Sequence, residues 1–214
     1  MRFRVIFIAF LLFLSILACS KKAPEPIDLG TFENGIYNCK YFGMTLDLSD
    51  GWNVQENQTM KMMADMGKKM IAGEDKNMEA MLDVSELTTV NLLLATKYPL
   101  GSSVPYNPNI AAVAEKVDQL TGIISGREYL QNVRKMLETS RLEVIFEDSM
   151  FTETLGGLDF DVARITMALG KISISQKYYA TIKKGYALSL IVSYSSEEEL
   201  DMIESLLGKL NFDL

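Results

Sequence analysis

The chain of 214 residues contains no histidine at all. Ser-His-Asp and Cys-His catalysis, zinc held by imidazole and the two-histidine, one-carboxylate iron site are excluded outright. Cysteine is nearly as scarce, with two residues, Cys19 and Cys39, so no disulfide framework can staple the fold and a hydrophobic core must hold it. No Gly-rich phosphate loop precedes a helix, and the Gly-x-Ser-x-Gly, Ser-x-x-Lys and Asp-x-Asp-x-Asp-Gly patterns are all missing. Asp47-Leu48-Ser49-Asp50-Gly51 lacks the ligand spacing and distal Glu of a calcium loop and is read as a hairpin turn, its Asp and Gly supplying the backbone angles. Positive charge is in deficit, 21 Lys+Arg against 28 Asp+Glu. Nucleic acid and anionic lipid surfaces both require a basic patch, so neither is expected as a partner.

A long hydrophobic run occurs only at the start. Arg2 and Arg4 precede an unbroken apolar stretch from Val5 to Leu14, followed by Ser15-Ile16-Leu17-Ala18-Cys19. A basic segment, a 7–15-residue apolar stretch and a small residue before a cysteine resemble the start of a bacterial lipoprotein. The run is shorter than the 18 or so apolar residues that a membrane span needs. Cleavage between Ala18 and Cys19 is therefore expected, with a diacylglyceryl group and palmitate-type chains on the Cys19 thiol. The expected location is extracytoplasmic, on a bacterial cell membrane. Loss of residues 1–18 takes the formal net charge from −7 to about −9 and leaves enough chain for one well-cored domain.

Residues 19–34, opening Ser20-Lys21-Lys22-Ala23-Pro24-Glu25-Pro26, read as a lipidated flexible tether, and residues 35–214 as a single α+β domain. Ile36 to Leu48 forms two short strands around Gly43, and Trp52 turns toward the core. Residues 57–72 and 76–85 read as helices and Leu87 to Tyr98 as a strand; Gly101 to Pro108 is a loop. Ser125 and Glu128 form a capping box ahead of a helix running to Ser140. Strands follow over Leu142–Glu147, Leu158–Leu169, Ile172–Lys183 and Tyr186–Tyr194. A bulge near Ala163-Arg164 is expected, because Phe160 and Val162 have one parity and Ile165 and Met167 the other. Ser196 and Glu199 cap a closing helix whose inward face includes Leu200, Ile203, Leu207 and Leu210. Consecutive hairpins between helices imply an antiparallel sheet.

The order Gly43-Met44-Thr45-Leu46, Gly51-Trp52-Asn53-Val54, Gly157-Leu158-Asp159-Phe160, Gln176-Lys177-Tyr178-Tyr179, Gly185-Tyr186 and a closing Leu210-Asn211-Phe212 resembles the PsbP-like domain. That domain occurs in photosystem extrinsic subunits, Ran-binding release factors and bacterial lipoproteins of unassigned role. The resemblance implies an antiparallel sheet between helices, a PsbP-like α/β/α sandwich, and a non-catalytic binding or assembly role. It supplies no active-site residue and no cofactor, and a shared fold does not fix function.

Methionine is the one local excess: Met60, Met62, Met63, Met66, Met70, Met78 and Met81 all fall within one short stretch. On a helix Met62, Met66 and Met70 lie at i, i+4 and i+8 with Met63 beside them, giving four thioethers on one broad face. A soft-metal site for Cu(I) is one reading, an adaptable face for a partner or small ligand the second, and core filling, favoured by methionine's helix and gap-filling character, the third. Tyr37, Tyr41, Phe42 and Trp52 read as core, Cys39 as a buried inert thiol, and Glu197-Glu198-Glu199 as a helix start. Asp159 and Asp161 share the wet face of a strand without a third ligand. Two classes of function remain: a tethered, non-catalytic module binding an envelope protein or small ligand, and a histidine-free hydrolase using carboxylates with a Lys or Tyr base.

Overall fold

A computed structural model of the chain describes residues 27–117 and 122–213. Residues 1–18, with Ala18, and the Cys19 lipidation position lie outside the described residues. The α+β class with antiparallel sheets is as expected. The first strands are β1 (Thr31–Glu33), β2 (Ile36–Cys39), β3 (Met44–Asp47) and β4 (Asn53–Val54), followed by helices α1 (Asn57–Ala72) and α2 (Lys76–Thr88). Strands β5 (Thr89–Thr96) and β6 (Asn109–Lys116) lead to α3 (Gly126–Thr139). Next come β7 (Val144–Phe146), β8 (Phe151–Leu155), β9 (Leu158–Leu169), β10 (Ile172–Lys183) and β11 (Tyr186–Tyr194), and the chain closes with α4 (Glu197–Leu207) and β12 (Leu210–Phe212).

The strands form two sheets. A large one runs β4-β5-β6-β11-β10-β9-β7 with β8 also on β9, and a small one runs β1-β2-β3-β12. The large sheet buries both faces, differently. Its first face carries Leu93, Ala95, Ile110, Ala112, Ala114, Leu188, Leu190, Val192, Phe160, Val162 and Tyr179 against Phe42, Met44 and Leu46 of the small-sheet region and Ile203, Leu206 and Leu207 of α4. The expected antiparallel sheet between helices is thus met, and on this side the small sheet shares the covering with α4. The opposite face is covered by α3 over β9 and β10 and by the α1–α2 hairpin over β5 and β6.

Several local expectations change. Asp47–Gly51 closes no hairpin; it carries the chain from the small sheet to the large one, with Gly51 at φ 78° and the Asp47 carboxylate accepting from the Ser49 amide at 2.9 Å. The bulge expected at Ala163-Arg164 does not occur, because β9 pairs β10 in unbroken register from Asp161↔Ala180 to Leu169↔Ile172. The two parities arise because Phe160 and Val162 serve the first face while Ile165 serves the face beneath α3. Order also begins before residue 35. β1 pairs β2, the Asp28 carboxylate accepts from the Tyr41 amide at 3.1 Å, and the Tyr37 hydroxyl lies 3.0 Å from the carbonyls of both Leu29 and Leu92. The inward helical face expected to reach Leu210 ends at Leu207, and Leu210–Phe212 instead pairs with β3 as an edge strand.

The α3 start is built as its sequence dictates. The Ser125 hydroxyl accepts from the Glu128 amide at 3.2 Å, and the Glu128 carboxylate accepts from the amides of Ile124 at 2.8 Å and Ser125 at 3.1 Å. These bonds, the Ile124 amide first, hold the Glu128 carboxyl below the usual glutamate range. A depressed folded-state pKa contributes stability that is present above the unfolded-state value of about 4.3 and is lost as pH falls through the folded value. Glu128→Gln is expected to flatten the acid limb of the thermal-midpoint profile below about pH 4, measured by circular dichroism.

Within α1, Gly67 has helical geometry, and an added Cβ would meet nothing within 4 Å. Gly67→Ala is therefore expected to stabilise by about 0.5–1 kcal/mol through helix propensity, raising the thermal midpoint.

Candidate functional site

Helix α1 buries little of itself. Its described core residues are Met60 and Ala72, and the four methionines of the expected face are open to solvent: Met62 at 54 %, Met63 at 38 %, Met66 at 57 % and Met70 at 46 % relative exposure. Core filling, the favoured sequence reading for the cluster, is corrected for these four and holds for Met60 and Met78, each 7 % exposed. The reason is topological. The α1–α2 hairpin touches the large sheet chiefly at β5 and β6, so one narrow stripe of α1 suffices for its docking and the wide face is left over.

Helix α2 repeats the pattern. It inserts Met78, with Leu82 and Ser85 half-buried, while Met81, Val84 and Leu87 stay exposed. The two helices are tied by Lys68, whose ammonium meets Asp83 at 2.8 Å and Glu86 at 2.7 Å. This pair of helices therefore presents seven large apolar side chains to solvent on two turns of sequence that a monomer's core does not use, the usual mark of a docking face. Peroxide should oxidise Met62, Met66 and Met70 well before Met44, Met60 and Met78; peptide mass spectrometry reads the order.

Between α2 and α3 lies a cleft of about 200 Å³, lined by Met81, Leu82, Ser85, Glu115, Ile123, Tyr129, Asn132, Val133 and Met136. At its floor the Glu115 carboxylate of β6 accepts from Ser85 Oγ at 3.0 Å and from the Tyr129 hydroxyl at 2.9 Å. Burial, then the charge of Glu115, pushes the Tyr129 hydroxyl pKa up, so it remains a donor. Sequence reading missed this group because β6 itself was missed: Ile110, Ala112 and Ala114 do alternate inward, but alanine is too small to give a strong period-two signal.

A second polar cluster sits on the first face of the sheet. The Lys177 ammonium, on a side chain 1 % exposed, meets Glu153 and Glu204 at 3.1 Å each and stands 5.4 Å from the centre of the Tyr179 ring. Burial alone would lower the lysine pKa; the Tyr179 hydroxyl and then the two carboxylates outweigh it, and the net direction is up. Burial raises the Tyr179 hydroxyl to about 12. Neither group is a base near neutral pH, so this convergence of lysine, tyrosine and paired carboxylates is an ion-paired brace between β8, β10 and α4.

The remaining sequence candidates have structural partners. Cys39 is fully buried, and burial lifts its thiol to about 11, far from a reactive thiolate. Tyr37, Phe42 and Trp52 are core, and Tyr41 stacks edge-on against Phe42 and Tyr186. Asp161 accepts from the Arg127 amide at 2.9 Å and pairs with the Arg127 guanidinium at 3.2 Å, which binds it to the α3 start, while Asp159 accepts from Thr154. Glu199 caps α4 through the Ser195 amide at 2.6 Å. Among the described residues no three His, Cys, Asp or Glu side chains gather as a metal site, and no helix is long and apolar enough to cross a membrane.

No family model matches the chain, and no curated protein matches it. Among solved structures it is similar to the solution structure of cyanobacterial PsbP (CyanoP) from Synechocystis, with TM-score 0.45 and 9 % identity over 83 % of this chain and 91 % of that one. A protein from Bacteroides thetaiotaomicron gives TM-score 0.40 and 14 % identity, over 80 % of this chain and 46 % of the other. LpqN, described as involved in cell envelope biogenesis of Mycobacterium tuberculosis, gives 0.38 and 14 %, over 59 % and 79 %. The family named from sequence patterns is thus among the solved structures found, and likenesses of this size carry no argument about function.

Proposed function

We propose that this chain is a non-catalytic binding or assembly module of the bacterial cell envelope, held to a membrane by lipid on Cys19, and that its working surface is the apolar face of the α1–α2 hairpin. The observation that carries the reading is the exposure of Met62, Met63, Met66 and Met70 together with Met81, Val84 and Leu87. Unbranched thioether side chains repack around differently shaped partners at little cost, which suits a docking face better than a rigid active site. The lack of histidine and the ion-paired state of Lys177 speak against the hydrolase alternative.

The test uses the full chain in its native membranes. Met62→Gln, Met66→Gln and Met70→Gln in one protein keep helix propensity and remove the apolar face. A protein that co-purifies from detergent extracts with the wild type should be lost from the variant at equal abundance; unchanged capture would overturn the reading. Cu(I) titration against a competing chelator is the control, because saturable binding tighter than micromolar that the same substitutions abolish would make the chain a soft-metal receptor instead. Cys19→Ala should release the domain from the membrane fraction.

A further inference from the structure

The cleft between α2 and α3 combines features that point to a particular guest. Its walls, Met81, Leu82, Ile123, Val133 and Met136, are apolar, while its floor is the Glu115 carboxylate. The two hydroxyls that hold Glu115 orient it without neutralising it, and none of the ion pairs among the described residues involves it. A negative charge at the bottom of a greasy slot attracts a cation with an apolar stem. At about 200 Å³ the slot suits one long side chain rather than a drug-sized molecule.

We propose that this cleft receives a lysine side chain of a partner protein, its four methylenes against Met81, Leu82, Val133 and Met136 and its ammonium on Glu115. The proposal rests on the docking-module reading and names the chemistry of its partner. Two further observations favour a protein lysine. Each Glu115 oxygen already accepts one hydroxyl bond and keeps one lone pair free for the N–H groups of an ammonium. Met81 of the lining is itself 46 % exposed and Ile124, next in the chain to the lining Ile123, is 75 % exposed, so a residue entering here is flanked by apolar surface of the kind that a folded partner covers. The chain's overall acidity, −7 before any processing, draws a basic partner toward it.

The probe is n-hexylammonium, followed through the methyl resonances of Met81 and Met136 in ¹³C-methionine-labelled full chain, beside 1-hexanol and hexanoate. Saturable shifts are expected for the ammonium, with binding about tenfold weaker for the alcohol and absent for the carboxylate. Glu115→Gln should erase the preference of ammonium over alcohol. Equal affinity of the three probes in the wild type overturns the proposal by itself, so the test stands even where the variant folds poorly. Zero-length carbodiimide coupling in native membranes separates a protein lysine from a free amine. A peptide in which Glu115 is joined to another protein's lysine supports the proposal, and hexylammonium binding with no such peptide overturns the protein source. If the methionine variants lose capture while the cleft stays silent to all probes, the docking face stands and the cleft has no part in it.

Discussion

Gly126→Ala should destabilise the domain by about 3 kcal/mol, a fall of about 10 °C in thermal midpoint followed by circular dichroism. Gly126 opens α3 with its backbone pressed on the large sheet, and an added Cβ would lie 2.0 Å from the Ala180 carbonyl oxygen and 2.7 Å from its carbon. That neighbour is backbone of the central strand β10, so no side-chain rotation can relieve the clash. The helix start must move off the sheet, loosening the Asp161 contacts with the Arg127 amide and guanidinium. Tyr129 and Val133 lie on the same helix, so the shift also opens the cleft and should weaken hexylammonium binding. The Gly67→Ala variant supplies the contrast, since the same chemical change in open space is expected to stabilise. A Gly126→Ala protein melting within about 1 kcal/mol of the wild type would falsify the close approach.

Lys177→Ala should cost a comparable amount, about 3 kcal/mol. The substitution leaves a cavity beside Tyr179 and removes the cation that Glu153 and Glu204 share at 3.1 Å each. The two carboxylates are 31 % and 49 % exposed, so water screens part of their repulsion and keeps the loss from being larger. Lys177→Met retains the stem and should cost about 1 kcal/mol. Combining Lys177→Met with Glu153→Gln and Glu204→Gln should recover most of the loss, because hydrophobic substitution is punishing only while unpaired charge remains. The lysine pKa is raised on folding, so its contribution is complete below the unfolded value of about 10.4 and fades only as pH climbs through the folded one. Urea midpoints of the wild type and Lys177→Met should therefore converge only in strong alkali.

Sequence periodicity reveals the elements whose apolar residues alternate strongly or whose starts are capped, even where, as in β11, both faces are buried. Strands β10 and β11, the capped helices α3 and α4 and the span of α1 all follow from alternation or from Ser-x-x-Glu capping. What escapes has identifiable causes. Strand β6 is hidden by its alanines, and β12 because Leu210 continues the apolar spacing of α4 past its end. Strand β9 misleads in another way: a strand that serves two cores changes parity without any bulge, and single-strand patterns cannot distinguish the cases. The methionine face is visible in sequence as a helical stripe, yet its exposure depends on how little of α1 the sheet covers, which is a property of topology. Glu115, Tyr129 and Ser85 come from three separate elements, and only folding brings them together.

Under the proposed anchoring, the hydrogen-bonded entry of the chain at Asp28 and Tyr37 would set an altitude for the molecule. With the lipid proposed on Cys19, the eight peptide units between Cys19 and Ile27 could reach no more than about 29 Å even at full extension. Leu29 and the α1 residues Asn57 and Met60 border one hollow, so the methionine helix begins at the end of the body that the proposed anchor would hold. Under the proposed anchoring, so short a reach would confine the domain to a thin layer and raise its effective concentration toward anything embedded in or resting on the same membrane. Targets floating higher in the envelope would then be excluded by height alone, before any side chain is consulted.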